Sequence, residues 1–248
     1  MTLLLVAACG GAPERATAPV EVTTTTRPRA YDARPSGPTG TGAVAGVVRL
    51  SGPPPERSAI VVDRDLGVCG APPPPPEDLV LGASGGVKGA VVWVASLTGP
   101  PPAIPATPPV IEERGCRFVP HVLLLPAGGT VEFRNGDGIL HHVHTHSIRN
   151  SPFERAQSLV HPNMQERFDV PEIVGITCDA HSWMQAWVVV QAHRFYALTG
   201  ADGRFRLGDV PAGPQQVTVW HERLGTHTES VTIDAARDAR LVFELRVP

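Results

Sequence analysis

The sequence lacks two features that would assign it to a membrane or nucleic-acid-binding class. It contains no run of about 18 consecutive apolar residues, so no transmembrane helix is predicted. It has no cluster of lysines and arginines, and its net charge is -3, so we expect no nucleic-acid binding. Aromatic residues are only 5% of the chain, but apolar residues reach 42%, which is enough for a packed core.

Proline and glycine are abundant by contrast, with 27 and 25 residues. Both interrupt helices, so this composition argues against a helical bundle. Apolar runs of strand length recur between turn residues, and they predict strands at 43–50, 59–62, 90–94, 122–125, 130–134, 175–177 and 186–190, with more after residue 204. The single helical candidate is 152–159. The pattern predicts an all-β fold of sandwiches or partly closed barrels.

The first residues form a short apolar run that ends in small residues and Cys9. This segment resembles the lipobox of bacterial lipoproteins, although no lysine or arginine precedes the run. The resemblance implies that Cys9 is lipidated and that residues 1–9 are the remnant of a signal whose true start lies upstream of Met1. The alternative is a short apolar N-terminus with a chance cysteine.

Residues 10–41 are mainly Thr, Pro, Ala, Gly and Arg, with no apolar periodicity. Such a segment cannot bury enough apolar surface to offset its ordering entropy, so we predict a disordered tether. A tether behind a lipidated Cys9 would place the protein in the periplasm or on the outer cell surface. Its membrane contact would then be through the lipid anchor only.

The most specific motif is Cys178-Asp179-Ala180-His181-Ser182-Trp183-Met184. It places a thiolate, an imidazole and a thioether three residues apart, so a tight loop can bring all three to one ion. Two histidines, one cysteine and a weak axial methionine are the ligands of blue-copper electron-transfer sites. The second histidine is expected from the segment 135–144, which directly follows the predicted strand 130–134.

Each residue of this motif also has an ordinary interpretation. Cys178 and Met184 could be core residues, and His181 could be a surface histidine. Their spacing and the upstream histidines favour a metal site over three such coincidences. Zinc is the rival ion, but zinc sites prefer Cys, His and carboxylate ligands to Met, so the motif favours copper.

The stretch from about Ile111 to Val190 resembles the cupredoxins, and amicyanin-like ones most closely. Those proteins carry a Cys-x-x-His-x-x-Met loop and an upstream histidine that follows a strand ending in Asn. Asn135 matches that supporting residue, whereas His142 stands where the family usually has Asn. Carried over to this sequence, the ligands of one type 1 copper ion would be His141, Cys178, His181 and Met184.

This resemblance implies an extracytoplasmic blue-copper protein that transfers single electrons to or from a redox partner protein. Cys178 would supply the thiolate bond, and His181, beside Ser182 and Trp183, would be the exposed edge through which electrons pass. An enzyme is not expected, because no nucleophile–base pair or second metal set is visible in sequence order.

The sequence is also similar to periplasmic proteins described as methylamine-utilisation-like or cupredoxin-domain proteins. They share segments equivalent to 116–122, 178–184 and 219–222. Because the function of that family is poorly defined, this resemblance adds more to the fold than to the activity.

Three further histidines alternate along the chain at His142, His144 and His146. On a strand, such residues share one face. They form a candidate second, exposed copper site, as in a copper carrier or storage protein. The alternative is a set of solvated histidines on a loop.

Two cysteines remain once Cys9 is assigned to lipid and Cys178 to metal. In an oxidising compartment such residues usually pair, so we predict a disulfide between Cys69 and Cys116. The alternative is two buried free thiols.

The segment 191–248 carries an Asp202-Gly203 turn and a later Pro211-Ala212-Gly213 turn. It resembles the carboxypeptidase-regulatory-like, or transthyretin-like, β-sandwich. Because it is short for a complete sandwich, we expect residues 42–98 to supply the missing strands. The cupredoxin Greek-key sandwich, at 110–190, would be inserted between the two flanks. A structural β module with a vestigial metal site is the remaining functional alternative.

Overall fold

A computed structural model describes residues 40–56, 59–70 and 72–248, all of which lie in one compact unit. These residues are almost entirely β structure, which confirms the predicted all-β fold class. Within them, no helix is long and apolar enough to cross a membrane. The predicted lipidation of Cys9 and nearly all of the predicted tether at 10–41 fall outside the described residues, and the first strand begins at Thr41.

The described chain contains one α-helix, α1 (Leu66–Cys69), and a short 3-10 turn (Ala83–Gly85). Its strands, in chain order, are β1 (Thr41–Leu50), β2 (Val80–Leu81), β3 (Val87–Lys88), β4 (Val91–Val94), β5 (Val110–Glu113), β6 (Phe118–Val119), β7 (Val122–Pro126), β8 (Gly129–Asn135), β9 (His141–His146), β10 (Glu154–Gln157), β11 (Asn163–Phe168), β12 (Ile173–Cys178), β13 (Gln185–Gln191), β14 (Tyr196–Leu198), β15 (Arg204–Pro211), β16 (Gly213–His221), β17 (Gly225–Ile233) and β18 (Ala239–Leu245).

The central part of the chain forms a sandwich of two sheets. One sheet has the strand order β10-β9-β12-β13-β7 and the other β11-β8-β5-β6. The β13–β7 and β5–β8 pairs are parallel, whereas the remaining neighbours are antiparallel. Their inner faces enclose a core that includes Ile111, Phe118, Phe133, Phe168 and Ile176. The two sheets therefore form a β-sandwich around one apolar core.

The flanking parts of the chain form the second sandwich. Its sheets have the strand orders β15-β1-β18 and β14-β4-β16-β17. Strand β1 pairs antiparallel with β15 and parallel with β18, and β4 lies between β14 and β16. The N-terminal and C-terminal flanks therefore share both sheets and one apolar core, although the whole central sandwich separates them in sequence.

Strands β4 and β13 lie where the two sandwiches meet. Val92 and Val94 face the core of the flanking sandwich, whereas Val91 and Val189 pack in a separate junction cluster. Trp187 and Trp220 meet in that cluster, with ring centroids 5.0 Å apart. The sequences of both strands are continuous apolar runs. One face of each strand packs in a sandwich core and the other face packs in the junction cluster.

Two sequence expectations about local structure are wrong. Residues 59–62 form no strand, and Val61 is 80% exposed, because this segment pairs with no strand in the described ranges. The helix expected at 152–159 is instead the edge strand β10, which pairs antiparallel with β9. Tertiary pairing overrides the weak helical preference of this segment.

A charged contact joins the two sandwiches beside the junction cluster. The His121 ring contacts a carboxylate oxygen of Glu222, and Trp187 Nε1 donates a hydrogen bond to the other oxygen at 2.9 Å. Burial disfavours the charged imidazole, but Glu222 outweighs this effect and raises the pKa of His121 above its ordinary value.

A raised pKa gives this contact a defined pH dependence. The protonated His121 stabilises the fold fully below about pH 6.5, and this stabilisation is lost as the pH rises through the higher folded-state pKa. We therefore expect His121→Gln to lower the free energy of unfolding more at pH 6 than at about pH 9. Urea unfolding at both pH values measures this, with the exposed His227→Gln as control. An equal loss at both pH values would contradict the prediction.

Candidate metal centre

Cys178, His181 and Met184 lie on the tight connection between β12 and β13. The His181 amide donates to the Cys178 carbonyl at 3.3 Å, and the Met184 amide donates to the His181 carbonyl at 3.0 Å. The Cys178 amide closes the loop by donating to the Met184 carbonyl at 3.3 Å. The three-residue spacing of the motif thus becomes two successive reverse turns, and the first of them brings the Cys178 and His181 side chains together.

His141 is placed by the turn that follows β8. Asn135 Nδ2 donates to the Ile139 carbonyl at 2.6 Å, and its Oδ1 accepts hydrogen bonds from the amides of Asp137 at 3.2 Å and Gly138 at 3.3 Å. Gly138 has a φ of 70°, which an L side chain adopts only with strain. The turn ends at His141, the first residue of β9, so Asn135 holds the backbone that leads into His141.

The structure brings three predicted ligands together. Cys178 Sγ lies 3.8 Å from His141 Nδ1 and 3.6 Å from His181 Nδ1, and the two nitrogens are 3.1 Å apart. Both imidazoles are completely buried, and Cys178 is 2% exposed. A thiol and two imidazole nitrogens therefore face one another in a site shielded from water.

A backbone amide contacts the Cys178 sulfur, and the predicted ligand Met184 is buried in the same core. Met184 is 1% exposed and belongs to the same apolar cluster as Cys178. The His142 amide donates to Cys178 Sγ at 3.3 Å. A hydrogen bond of this kind stabilises the thiolate over the thiol, and the thiolate is the form that binds metal.

A carboxylate holds the outer nitrogen of each imidazole. His141 Nε2 lies 3.1 Å from Asp137 Oδ2, and His181 Nε2 lies 2.9 Å from Asp65 Oδ2. Because a carboxylate accepts a hydrogen bond, each Nε2 carries the proton and each Nδ1 can offer its lone pair to a metal. Carboxylates behind histidine ligands also raise the basicity of those ligands.

The two imidazoles differ in their electrostatic surroundings. Burial lowers the pKa of His181 below its ordinary value and outweighs the opposing hydrogen bond to Asp65. Burial also disfavours charge on His141, but hydrogen bonds to Asp137 and Cys178 and the nearby Glu113 raise its pKa to about 9. His141 is therefore protonated at neutral pH in the metal-free chain, and its Nδ1 must lose a proton when a cation binds.

The predicted disulfide between Cys69 and Cys116 is present, with the two Cα atoms 5.3 Å apart. Each half-cystine adjoins one of the carboxylates. The Cys69 amide donates to the Asp65 carbonyl at 2.9 Å, and the Cys116 amide donates to Asp137 Oδ2 at 2.8 Å. The disulfide therefore connects the segment that carries Asp65 to the backbone amide that binds Asp137.

Sequence reasoning missed three acidic residues of this site. Asp137 could have been found, since it lies four residues before His141 in a glycine-rich turn. Asp65 gives no local signal, because 116 positions separate it from His181. Glu113 is fully buried on β5, and both of its carboxyl oxygens lack a hydrogen-bond partner among the described residues. Burial raises its pKa to about 7, with His141 opposing and Asp137 reinforcing the shift.

The expectation that His181 is an exposed edge is wrong. His181 has no exposed surface, because Asp65 and its segment cover the outer side of the ring. The Trp183 ring lies beside it, with centroids 5.1 Å apart, and is only partly buried. Ser182, Trp183 and Met184 line a cavity of about 430 Å³ between this loop and the proline-rich segment. Trp183 and Asp65 are therefore two solvent-accessible residues that contact the His181 ring.

The three alternating histidines do share one face of β9, opposite His141. His142 and His144 approach the two oxygens of Asp179 at 3.1 and 3.2 Å, respectively. His146 instead contacts Thr177, with its Nε2 2.8 Å from Thr177 Oγ1. The His144 ring lies against the His146 ring, with centroids 4.5 Å apart, but only His142 and His144 contact the Asp179 carboxylate.

Comparison with known proteins gives one family and a set of solved structures. The carboxypeptidase regulatory-like domain family matches residues 184–246, which correspond to the C-terminal flank and the strand before it. No curated protein matches the sequence.

Several solved structures are similar to part of this chain. Cu-containing nitrite reductase from Thermus scotoductus is 25% identical and covers 36% of this chain, with a TM-score of 0.32, and the chain spans only 23% of that enzyme. Amicyanin from Paracoccus versutus is 20% identical, with 40% of this chain and 97% of amicyanin covered and a TM-score of 0.31. A purple cupredoxin from Nitrosopumilus maritimus is 18% identical, with coverages of 33% and 96% and a TM-score of 0.29.

Removal of the Asp65 carboxylate tests its role behind His181. Asp65 has a φ of 48°, so Asp65→Gly removes the carboxylate without adding backbone strain. We expect this variant to bind Cu(II) about 10–100-fold more weakly, because His181 loses the partner that fixes its tautomer and orientation. Competition with a chelator measures the affinity. Asp63→Gly is the matched control, since Asp63 is exposed and pairs only with Arg64 in the described contacts. Equal affinities for both variants would contradict the prediction.

Proposed function

We propose that this chain is an extracytoplasmic copper protein that transfers single electrons through a type 1 site held by His141, Cys178, His181 and Met184. The observation that carries the proposal is the convergence of two Nδ1 atoms and a thiol sulfur within 3.8 Å of one another. Neither imidazole nor the thiol has to leave its hydrogen-bonded position for all three to face one cation.

The donor set fits copper better than zinc. A thiolate and a buried thioether are soft ligands, and together with two imidazoles they match the blue-copper set. In a structural zinc site, the fourth ligand would more often be Cys, His or a carboxylate than Met. Bound here, copper would supply a one-electron redox couple between its cuprous and cupric states.

The protein residues would restrict how the site changes during that redox cycle. The Asp65 and Asp137 carboxylates hold the two imidazole rings, and the His142 amide holds the thiolate. The apolar core around Cys178 and Met184 excludes water. Ligands fixed in this way need little rearrangement when the charge of the site changes, which favours fast electron transfer.

Trp183 is the proposed route between the buried site and a redox partner protein. Its ring contacts the His181 ring, and its Nε1 donates to the Cys116 carbonyl at 3.2 Å, which fixes its orientation. Since His181 itself is covered, a partner would approach the partly exposed Trp183 and the neighbouring Ser182.

The proposed compartment is the periplasm or the outer cell surface, with a lipid on Cys9 as the anchor. The Cys69–Cys116 disulfide supports an oxidising compartment, because such bonds are rare in the cytoplasm.

A Cu(II) titration of the chain tests this function. We expect one equivalent to give an intense thiolate-to-copper absorption band and a narrow copper hyperfine splitting in electron paramagnetic resonance. Cys178→Ser should remove both signals, because the thiolate is the source of the band. Met164→Leu is a matched control, since Met164 packs at the edge of the same core.

Two results would contradict the proposal. One is pale copper whose signals are unchanged in Cys178→Ser. The other is a blue centre that cannot be reduced and reoxidised reversibly in voltammetry, which would leave a copper-binding protein without electron transfer.

A further inference from the structure

A second group of metal-binding side chains lies directly behind the buried site. In β9, His141 points into the core and His142 to the opposite face. At the end of β12 the same alternation places Cys178 inside and Asp179 outside. The Asp179 amide donates to the His142 carbonyl at 3.1 Å, so the two outward residues are neighbours across the sheet. The outward group therefore sits on the other side of the same strand pair.

The side chains of this outward group converge on one carboxylate. Asp179 Oδ2 lies 3.1 Å from His142 Nδ1, and Asp179 Oδ1 lies 3.2 Å from His144 Nδ1. Glu154, on β10, adds an oxygen 3.5 Å from His142 Nε2. One ligand atom from each of His142, Glu154 and Asp179 falls within 4.8 Å of the others.

The four side chains are open to solvent, unlike the buried site. Their exposed fractions are 26% for His142, 34% for His144, 58% for Glu154 and 40% for Asp179. Two imidazoles with two carboxylates form a nitrogen and oxygen donor set without sulfur. Such a set binds divalent first-row metals, and Cu(II) binds most strongly among them.

We propose that His142, His144, Glu154 and Asp179 form a second, solvent-facing site for a divalent transition-metal ion, with Cu(II) preferred. The site differs from a stripe of three histidines, because its ligands include Glu154 on β10 and Asp179 just after β12 and do not include His146. It is independent of electron transfer at the buried centre. Adjacent residues serve the two sites: His141 and His142 on β9, and Cys178 and Asp179 at the end of β12.

Copper binding to the unmodified full chain gives the first test. Histidine ring signals are followed by NMR while Cu(II) is added in steps, since bound Cu(II) broadens nearby resonances. An ion at the buried centre already broadens the ring signals of His142 and His144 in part, so we expect these signals to disappear completely with a second equivalent of Cu(II). His227, an exposed histidine that contacts Glu229, provides the internal reference. Broadening of His227 together with His142 and His144 would show only non-specific binding and would overturn the site.

Substitution of the carboxylates gives the second test. Asp179→Asn combined with Glu154→Gln preserves shape and removes both charges, and we expect one equivalent of bound Cu(II) to be lost. His146→Gln is the matched control and should retain that equivalent. The thiolate-to-copper band reports the buried centre separately, so its absence would count against the proposed function and not against this site. An unchanged number of bound Cu(II) ions in the double variant would overturn the surface site.

Discussion

The metal centre depends on keeping three donors close together in a place that water does not reach. Without water, each imidazole and the thiol would bury a polar atom that has no hydrogen-bond partner. Burying such an atom costs free energy. Asp65 and Asp137 relieve this cost on the outer side of the rings, and the His142 amide relieves it at the sulfur. The two Nδ1 atoms, in contrast, face only each other and the sulfur, and they can bind a cation. A site of this kind is most stable when positive charge occupies it.

The supporting groups come from distant parts of the chain, and the disulfide joins them. Asp65 precedes α1, whose last residue is Cys69, whereas Asp137 accepts a hydrogen bond from the Cys116 amide. The link between Cys69 and Cys116 closes a loop of 47 positions, which would stabilise the fold by about 2–4 kcal/mol. The same bond thus serves stability and holds the surroundings of both histidines.

The parts of the site that depend on local sequence could be predicted. The spacing of Cys178, His181 and Met184 fixes two reverse turns, and Asn135 fixes the turn before His141. The disulfide followed from pairing the two cysteines that had no other role. Asp65 could not be predicted, because only the tertiary fold brings it to His181. The exposure of His181 was misjudged for the same reason, since the covering segment is distant in sequence.

The strands show a similar division. Alternating or continuous apolar runs identified β4, β8 and β13, whose side chains pack in the cores. Residues 59–62 have an equally apolar composition but no pairing partner, so they form no strand. Residues 154–157 carry little strand signal, yet pairing with β9 makes them one. Composition therefore predicted strands that bury side chains, and it failed where backbone pairing alone decided the structure.

X-ray absorption at the copper edge of the full chain, loaded with one equivalent of copper, tests the central claim most directly. If the three buried donors hold the ion, the spectrum will show one short copper–sulfur distance from Cys178 and two imidazole nitrogens. A first shell made only of nitrogen and oxygen would contradict this account, since the ion would then lie outside the pocket formed by His141, Cys178 and His181.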